Sequence, residues 1–182
     1  MSWIPGIIAV AVVAWFVATY NGLVGLRNRF RNAWHQIDVQ LKRRYDLIPN
    51  LVEVVKDYMA YEQETLQKVI AARGAALSAK GTAAQAKAEN ALTESLRSLF
   101  AVVENYPELK ANESVGALQE ELTATENKIS FARQFYNDSV MAYNTRIQSI
   151  PSNVIASVFD FAPAEYFGVG EESRAVPKVD LR

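Results

Sequence analysis

The chain has 182 residues, with 19 basic and 20 acidic side chains and a net charge of −1, so no global basic field draws it to nucleic acid. It contains no cysteine, which excludes disulfides, thiolate catalysis, zinc–thiolate sites and a lipid-modified cysteine anchor. The length allows one ordinary domain beyond an apolar N-terminal segment.

From Met1 to Leu26 there is no charged side chain, and Ile7 to Ala18 is apolar without interruption. A bilayer core about 30 Å thick requires roughly 20 helical residues, and Pro5 or Gly6 through Gly25 supplies them. Pro5 suits a first helical turn, where its missing N–H costs nothing. Met1–Gly6 has no basic side chain and Phe16 spoils a cleavage site at Ala18, so residues 1–26 are expected to be a retained transmembrane anchor rather than a removed signal.

Arg27, Arg29 and Arg31, followed by Lys42, Arg43 and Arg44, bias this flank to the cytoplasm and predict a single pass with the N-terminus outside. A folded domain can cross despite such flanks, which leaves a periplasmic or extracellular body as the alternative. The alternate-position arginines do not share one helical face; they are expected to contact lipid headgroups. Ala14, Ala18 and Gly22 recur every fourth residue, a spacing that suits packing between anchors.

The apolar positions continue through Leu23, Leu26, Phe30, Trp34, Ile37 and Leu41, then Tyr45, Ile48, Val52, Val55 and Met59, and after Glu62 through Leu66 and Val69. Spacing by threes and fours predicts one helix over about 27–79, kinked rather than stopped at Pro49. The segment SAKGTAAQAK reads as a hairpin turn at Gly81 with Thr82 as N-cap. A second helix over about 82–105 carries Leu92, Leu96, Leu99 and Val103, and NYPEL ends it. Leu118, Leu122, Thr125, Ile129, Ala132, Tyr136, Val140, Tyr143 and Ile147 predict a third over about 112–149, with a coiled-coil register relaxed at Tyr136. After Pro151, Ser152 or Asn153 is expected to cap a short helix over about 152–159. Residues 27–161 thus form the bundle, and 162–182 read as an extended or mobile tail. The fold class is all-α, a transmembrane helix continuing into an antiparallel bundle of long helices.

Catalytic signals are sparse. A two-metal site of the Glu-x-x-His type needs two histidines, whereas the chain has only His35, with Asn32 three residues before it. His35 is therefore expected at a surface or interface. Glu53, Asp57, Glu62 and Glu64 read as a solvated face, with Glu64 four residues before Lys68. No glycine-rich phosphate loop and no G-x-S-x-G motif occur. Phe131, Phe135, Tyr136 and Tyr143 at helical spacing are expected to be core. The one polar concentration is LKRRYDLIPNLVE. Here Arg43, Arg44 and Asp46 precede Pro49 while Asn50 and Glu53 follow it, and the proline frees the Tyr45 carbonyl. These six residues are expected to satisfy the bend by pairing with a neighbouring helix, or to form a contact surface.

The stretches YNGLVGLRNRFRNAWHQIDVQLKRRYDLIPNLVEVVKDYMAYEQETLQKV and ENKISFARQFYNDSVMAYNTRIQSIPSNVIASVFDFAPAEYF closely resemble the two signature stretches of the LemA family, and the resemblance spans Tyr20 to Phe167. It implies a bacterial membrane protein with an N-terminal anchor and an antiparallel helical body, without established enzymatic activity. Through a magnetosome-associated relative it further implies a role in membrane organisation or protein assembly. The functional expectation is a non-enzymatic scaffold of the bacterial inner membrane, with no cofactor or metal. Its partners are the bilayer and copies of itself or other membrane proteins. The alternative is an enzyme or ligand carrier with a polar site near Pro49.

Overall fold

The computed structural model describes residues 3–59 and 61–168. It is 83% helical without a strand among them, an all-α bundle in which the N-terminal helix is long and apolar. The chain divides into two compact units, Met1–Ile37 with Ala132–Glu165, and Asp38–Phe131 with Tyr166–Arg182. Helices α1 (Ile4–Val55) and α5 (Glu113–Gln148) contribute to both.

In the first unit, α1 begins as an apolar helix exposed along Ile4–Ala18. An 18-residue window of it has a mean hydropathy of 2.1, and the rest of the protein buries only 11% of that window. It is long and apolar enough to cross a membrane, and it lacks the burial of a soluble core helix. Protein cover begins at Thr19, 4% exposed, and Leu23, fully buried. Leu23 packs with Tyr143 and Ile147 of α5, Ile155 and Ala156 of α6 (Ser152–Val158), and Phe161.

The helices run antiparallel, because Phe30 meets Tyr143 at 5.0 Å between ring centroids while Trp34, one turn on, meets Tyr136 at 5.4 Å. Such aromatic pairs add about 0.5–1.5 kcal/mol beyond area burial. Phe135 and Phe131 depart from the core expectation and are exposed. Their positions fall off the Ile129–Tyr136–Val140–Tyr143 stripe, and the Arg29 guanidinium lies over the Phe135 ring.

Two polar devices close this unit. The Ser152 hydroxyl donates to the Arg146 and Ser149 carbonyls at 2.7 and 2.9 Å. It therefore satisfies the end of α5 rather than capping α6, whose N-cap position is Pro151. Beyond α6, Tyr143 Oη donates to the Ala162 carbonyl, Asn144 exchanges two bonds with the Ala164 backbone, and Tyr136 Oη donates to the Glu165 carbonyl. The segment from Ala162, expected as an extended or mobile tail, is irregular here because its composition suits no helix. It is nonetheless fastened by α5 side chains as far as Glu165; residues 169–182 lie outside those described.

In the second unit, α1 passes through Pro49 and ends at Val55, so the proline does not stop it. The expected continuous helix to 79 is instead broken between Val55 and α2 (Gln63–Ser78). The Arg73 Nε–H on α2 bonds the Tyr45 carbonyl on α1 at 2.8 Å across a sequence separation of 28. In a straight helix those residues would stand roughly 42 Å apart, so α2 folds back along α1. Val55 and Met59, both fully buried, close the turn.

Helix α3 (Thr82–Val103) follows a second hairpin, in which Gly81 occupies the cap position at φ +84° and ψ 158°. That backbone conformation is open to glycine and nearly closed to other residues, which is why Gly81 rather than Thr82 holds the cap. Pro107 opens α4 (Pro107–Lys110) with Tyr106 extended before it, the usual constraint on a residue preceding proline. The Asn112 carboxamide then caps α5 by accepting from Ser114 and Val115 N–H, so the third long helix begins one residue later than expected.

Candidate functional site

The second unit holds a charged cluster inside its apolar core. On α3 the buried positions are Ala86, Glu89, Leu92, Leu96, Leu99 and Val103, so Glu89 stands in the apolar stripe at 0% exposure. A lone carboxylate there would be costly to bury. Its two oxygens are met by three side chains. Arg44 Nη1 approaches Oε2 at 3.3 Å, Gln85 Nε2 donates to Oε1 at 3.0 Å, and the Tyr45 hydroxyl donates to Oε1. Gln85 also reaches the Tyr45 hydroxyl and the Ala76 carbonyl, tying α2 to the cluster.

Arg44 is itself 2% exposed. Besides Glu89, its guanidinium meets Glu126 at 2.9 Å on α5 and donates to Thr93 Oγ1 at 2.9 Å on α3. One arginine from α1 thus bridges two carboxylates from different helices. Burial, followed by the hydrogen bond to Glu89 and the Glu89 charge, pushes the Tyr45 hydroxyl well above its ordinary range. It remains a donor at neutral pH, and the cluster is a closed clasp, with Glu126 its more accessible edge.

Beside that edge lies a groove of about 450 Å³ between α3 and α5, where Leu96, Phe100 and Leu122 form apolar walls and Arg44, Thr93 and Glu126 the polar floor. Its size falls within the range of small-molecule sites. Among the described residues, no group of three His, Asp or Glu side chains is placed to hold a metal ion.

The six residues around Pro49 disperse. Arg44 enters the cluster and Arg43 pairs with Glu121 at the surface, while Glu53 pairs with Lys56 one turn on, at 2.6 Å. Asp46, Pro49 and Asn50 are exposed. The Tyr45 carbonyl freed by the proline is met by Arg73, which lies outside that set. Glu89, Gln85, Thr93 and Glu126, and Tyr45 beyond its place in the apolar stripe, were not expected in the cluster. A charge in register with Ala86, Leu92 and Leu96 was the available signal for Glu89.

Near the middle of α1, the Arg27 guanidinium lies 5.0 Å from the Phe161 ring and Arg29 lies 5.4 Å from Phe135, while Arg31 is exposed. Ala14, Ala18 and Gly22 are exposed on α1, as is His35.

The LemA family model matches residues 33–181. Over 191 aligned positions the chain is 26% identical to magnetosome protein MamQ 2 of Paramagnetospirillum magneticum, covering 88% of this chain and 70% of that protein. It is 23% identical to magnetosome protein MamQ of Magnetospirillum gryphiswaldense, covering 87% and 68% respectively. Protein LemA of Metamycoplasma hominis is 24% identical, covering 87% of this chain and 73% of that protein.

Proposed function

The chain belongs to the LemA family, and from that membership together with the fold we propose that it is a membrane-anchored helical scaffold. It assembles with copies of itself or with other proteins at the surface of the bacterial inner membrane, and it works without catalysis. The observation that carries this reading is α1, a helix exposed and apolar along Ile4–Ala18 whose later turns are packed in the bundle. Relatives named for the magnetosome support a role in membrane organisation or assembly. The arginines at 27, 29 and 31 stand at the headgroups and keep the body in the cytoplasm.

The test has two parts. Carbonate-washed membranes should retain the protein, with a C-terminal tag protected from protease in intact cells; release to the soluble fraction would remove the anchor. Crosslinking of detergent-extracted protein should give oligomers or a defined partner, and a strict monomer with no partner would remove the scaffold.

The groove beside Arg44 and Glu126 favours a second reading, a carrier for a small amphipathic ligand. Thr123→Trp at its exposed rim would fill the groove and leave the cluster intact. Lost phenotype at unchanged melting temperature favours the carrier, and unchanged phenotype favours the scaffold.

A further inference from the structure

Resting on the reading that α1 crosses a bilayer, we propose that α6 and the turn after it are a second bilayer contact, seated beside the anchor where headgroups meet acyl chains. Length is the first reason. The exposed part of α1, Ile4–Ala18, is roughly 22 Å long, against a hydrocarbon core of about 30 Å. The missing distance corresponds to Thr19–Leu23, where one face of α1 is already covered by protein: Thr19 is 4% exposed and Leu23 0%. For α1 to span, whatever covers that face must sit at the edge of the apolar layer.

What covers it is apolar and aromatic. Phe159 lies 5.8 Å from Phe16 and 4.8 Å from Tyr20 between ring centroids, and Phe161 lies 5.8 Å from Tyr20. The apolar surface of the anchor therefore continues without a polar break onto the end of α6. Ile155 and Ala156 face the core, which leaves the opposite side outward: Ile150 is 86% exposed, Val154 60%, Val158 66% and Phe159 43%.

From Ile147 to Ala164 the sequence holds one ionisable side chain, Asp160, which is exposed. The outward apolar face has no charge of its own to desolvate, and apolar faces lying in the interface plane sink about 5–10 Å below the headgroups. Asp160 limits the depth, because its carboxylate must stay in the hydrated layer. Arg27, over the Phe161 ring, then lies level with the lipid phosphates.

The absence of cysteine makes a direct test available. Full-length V154C and V158C, each labelled with an environment-sensitive fluorophore, are reconstituted in two kinds of vesicle, whose phospholipids carry a nitroxide either near the headgroup or deep on the acyl chain. V12C serves as the anchor control and V39C as a water-exposed control, with circular dichroism confirming the fold of each. The expected result is a blue-shifted emission at V12C, V154C and V158C, with loss of fluorescence to the acyl-chain nitroxide at V12C and to the headgroup nitroxide at V154C and V158C, and none of these at V39C. Quenching at V12C but not at V154C and V158C would overturn the second contact and leave the anchor standing. No quenching at V12C would remove the anchor itself, and the second contact with it. Disulfide-linked dimers of unlabelled V158C, without quenching of the labelled protein, would assign the face to a second copy and likewise overturn the proposal.

Discussion

Arg73 donates its Nε–H to the Tyr45 carbonyl at 2.8 Å, the carbonyl that Pro49, four residues on, leaves without its helical partner. The bond satisfies a backbone acceptor and joins α2 to α1 at the same point. Arg73→Ala is expected to lower stability by about 1–3 kcal/mol, the usual effect of leaving a covered polar group unmet. Pro49→Ala restores an N–H that can reach the same carbonyl, so Arg73→Ala should be less damaging in that background. Urea unfolding of the four proteins in detergent measures the coupling. Equal losses in both backgrounds would mean that Arg73 acts through something other than this carbonyl.

Glu89 and Arg44 form the buried pair of the cluster, with side chains 0% and 3% exposed. Glu89→Leu leaves the buried guanidinium with only Glu126 and Thr93 and is expected to destabilise by about 3–5 kcal/mol. Glu126→Gln removes a partner that is 37% exposed and should lower stability by no more than about 1 kcal/mol. Replacing both members of the buried pair, Arg44→Met with Glu89→Leu, should recover most of the loss, since well-packed apolar groups substitute for buried ion pairs. A double variant as unstable as Glu89→Leu alone would show that packing rather than charge governs this position.

The helical periods along α1, α3 and α5 were legible because each buries a stripe, and Leu23, Ile37, Leu92, Ile129 and Tyr143 are all buried where the spacing put them. The α1–α2 hairpin was not. Met59 and Leu66 are seven positions apart, a whole number of helical repeats to good approximation. The apolar phase therefore passes through the turn unchanged, and Lys56–Glu62 offers neither glycine nor proline to mark it. The clasp was half legible. Arg44 was singled out for its place beside a proline, but its partners lie on α3 and α5, and pairing across helices depends on their register, which one stripe does not encode. Glu89 could have been found as a charge interrupting an apolar stripe. The fastening of Ala162–Glu165 could not, because it uses backbone groups met by Tyr and Asn side chains that read simply as core or surface.

Two glycines separate backbone strain from helix propensity. Gly81 has φ +84°, and a Cβ there would meet nothing within 4 Å, so Gly81→Ala is resisted by the backbone alone. The expected loss is about 1–3 kcal/mol. Gly74 lies inside α2, and a Cβ there likewise meets nothing within 4 Å. Gly74→Ala should stabilise by about 0.5–1 kcal/mol. Opposite shifts in melting temperature are therefore expected from the same chemical change, and a stabilising Gly81→Ala would contradict the hairpin geometry.

The Tyr45 hydroxyl is held above its ordinary value of about 10 by burial first and then by Glu89, which makes stability depend on alkaline pH. Below the unfolded value both states keep the proton, so the contribution of this group is fully present. Above it the unfolded chain ionises while the folded protein retains the proton; the unfolded state then binds fewer protons, and stability falls as pH rises. Tyr45→Phe removes this titration, leaving Gln85 and Arg44 on Glu89. Near neutrality the variant should be less stable by about 1–3 kcal/mol, the scale of a hydrogen bond to a charged group. Between about pH 9 and about pH 11 its stability should fall less steeply than that of the parent, so the two curves converge. Tyr136 and Tyr143 are also raised, in both cases chiefly by burial, and they keep some alkaline slope in the variant. Urea midpoints across that range measure the difference. Parallel curves would mean that Tyr45 ionises as readily in the folded protein as in the unfolded chain, and that the hydroxyl is not enclosed by Glu89, Gln85 and the core.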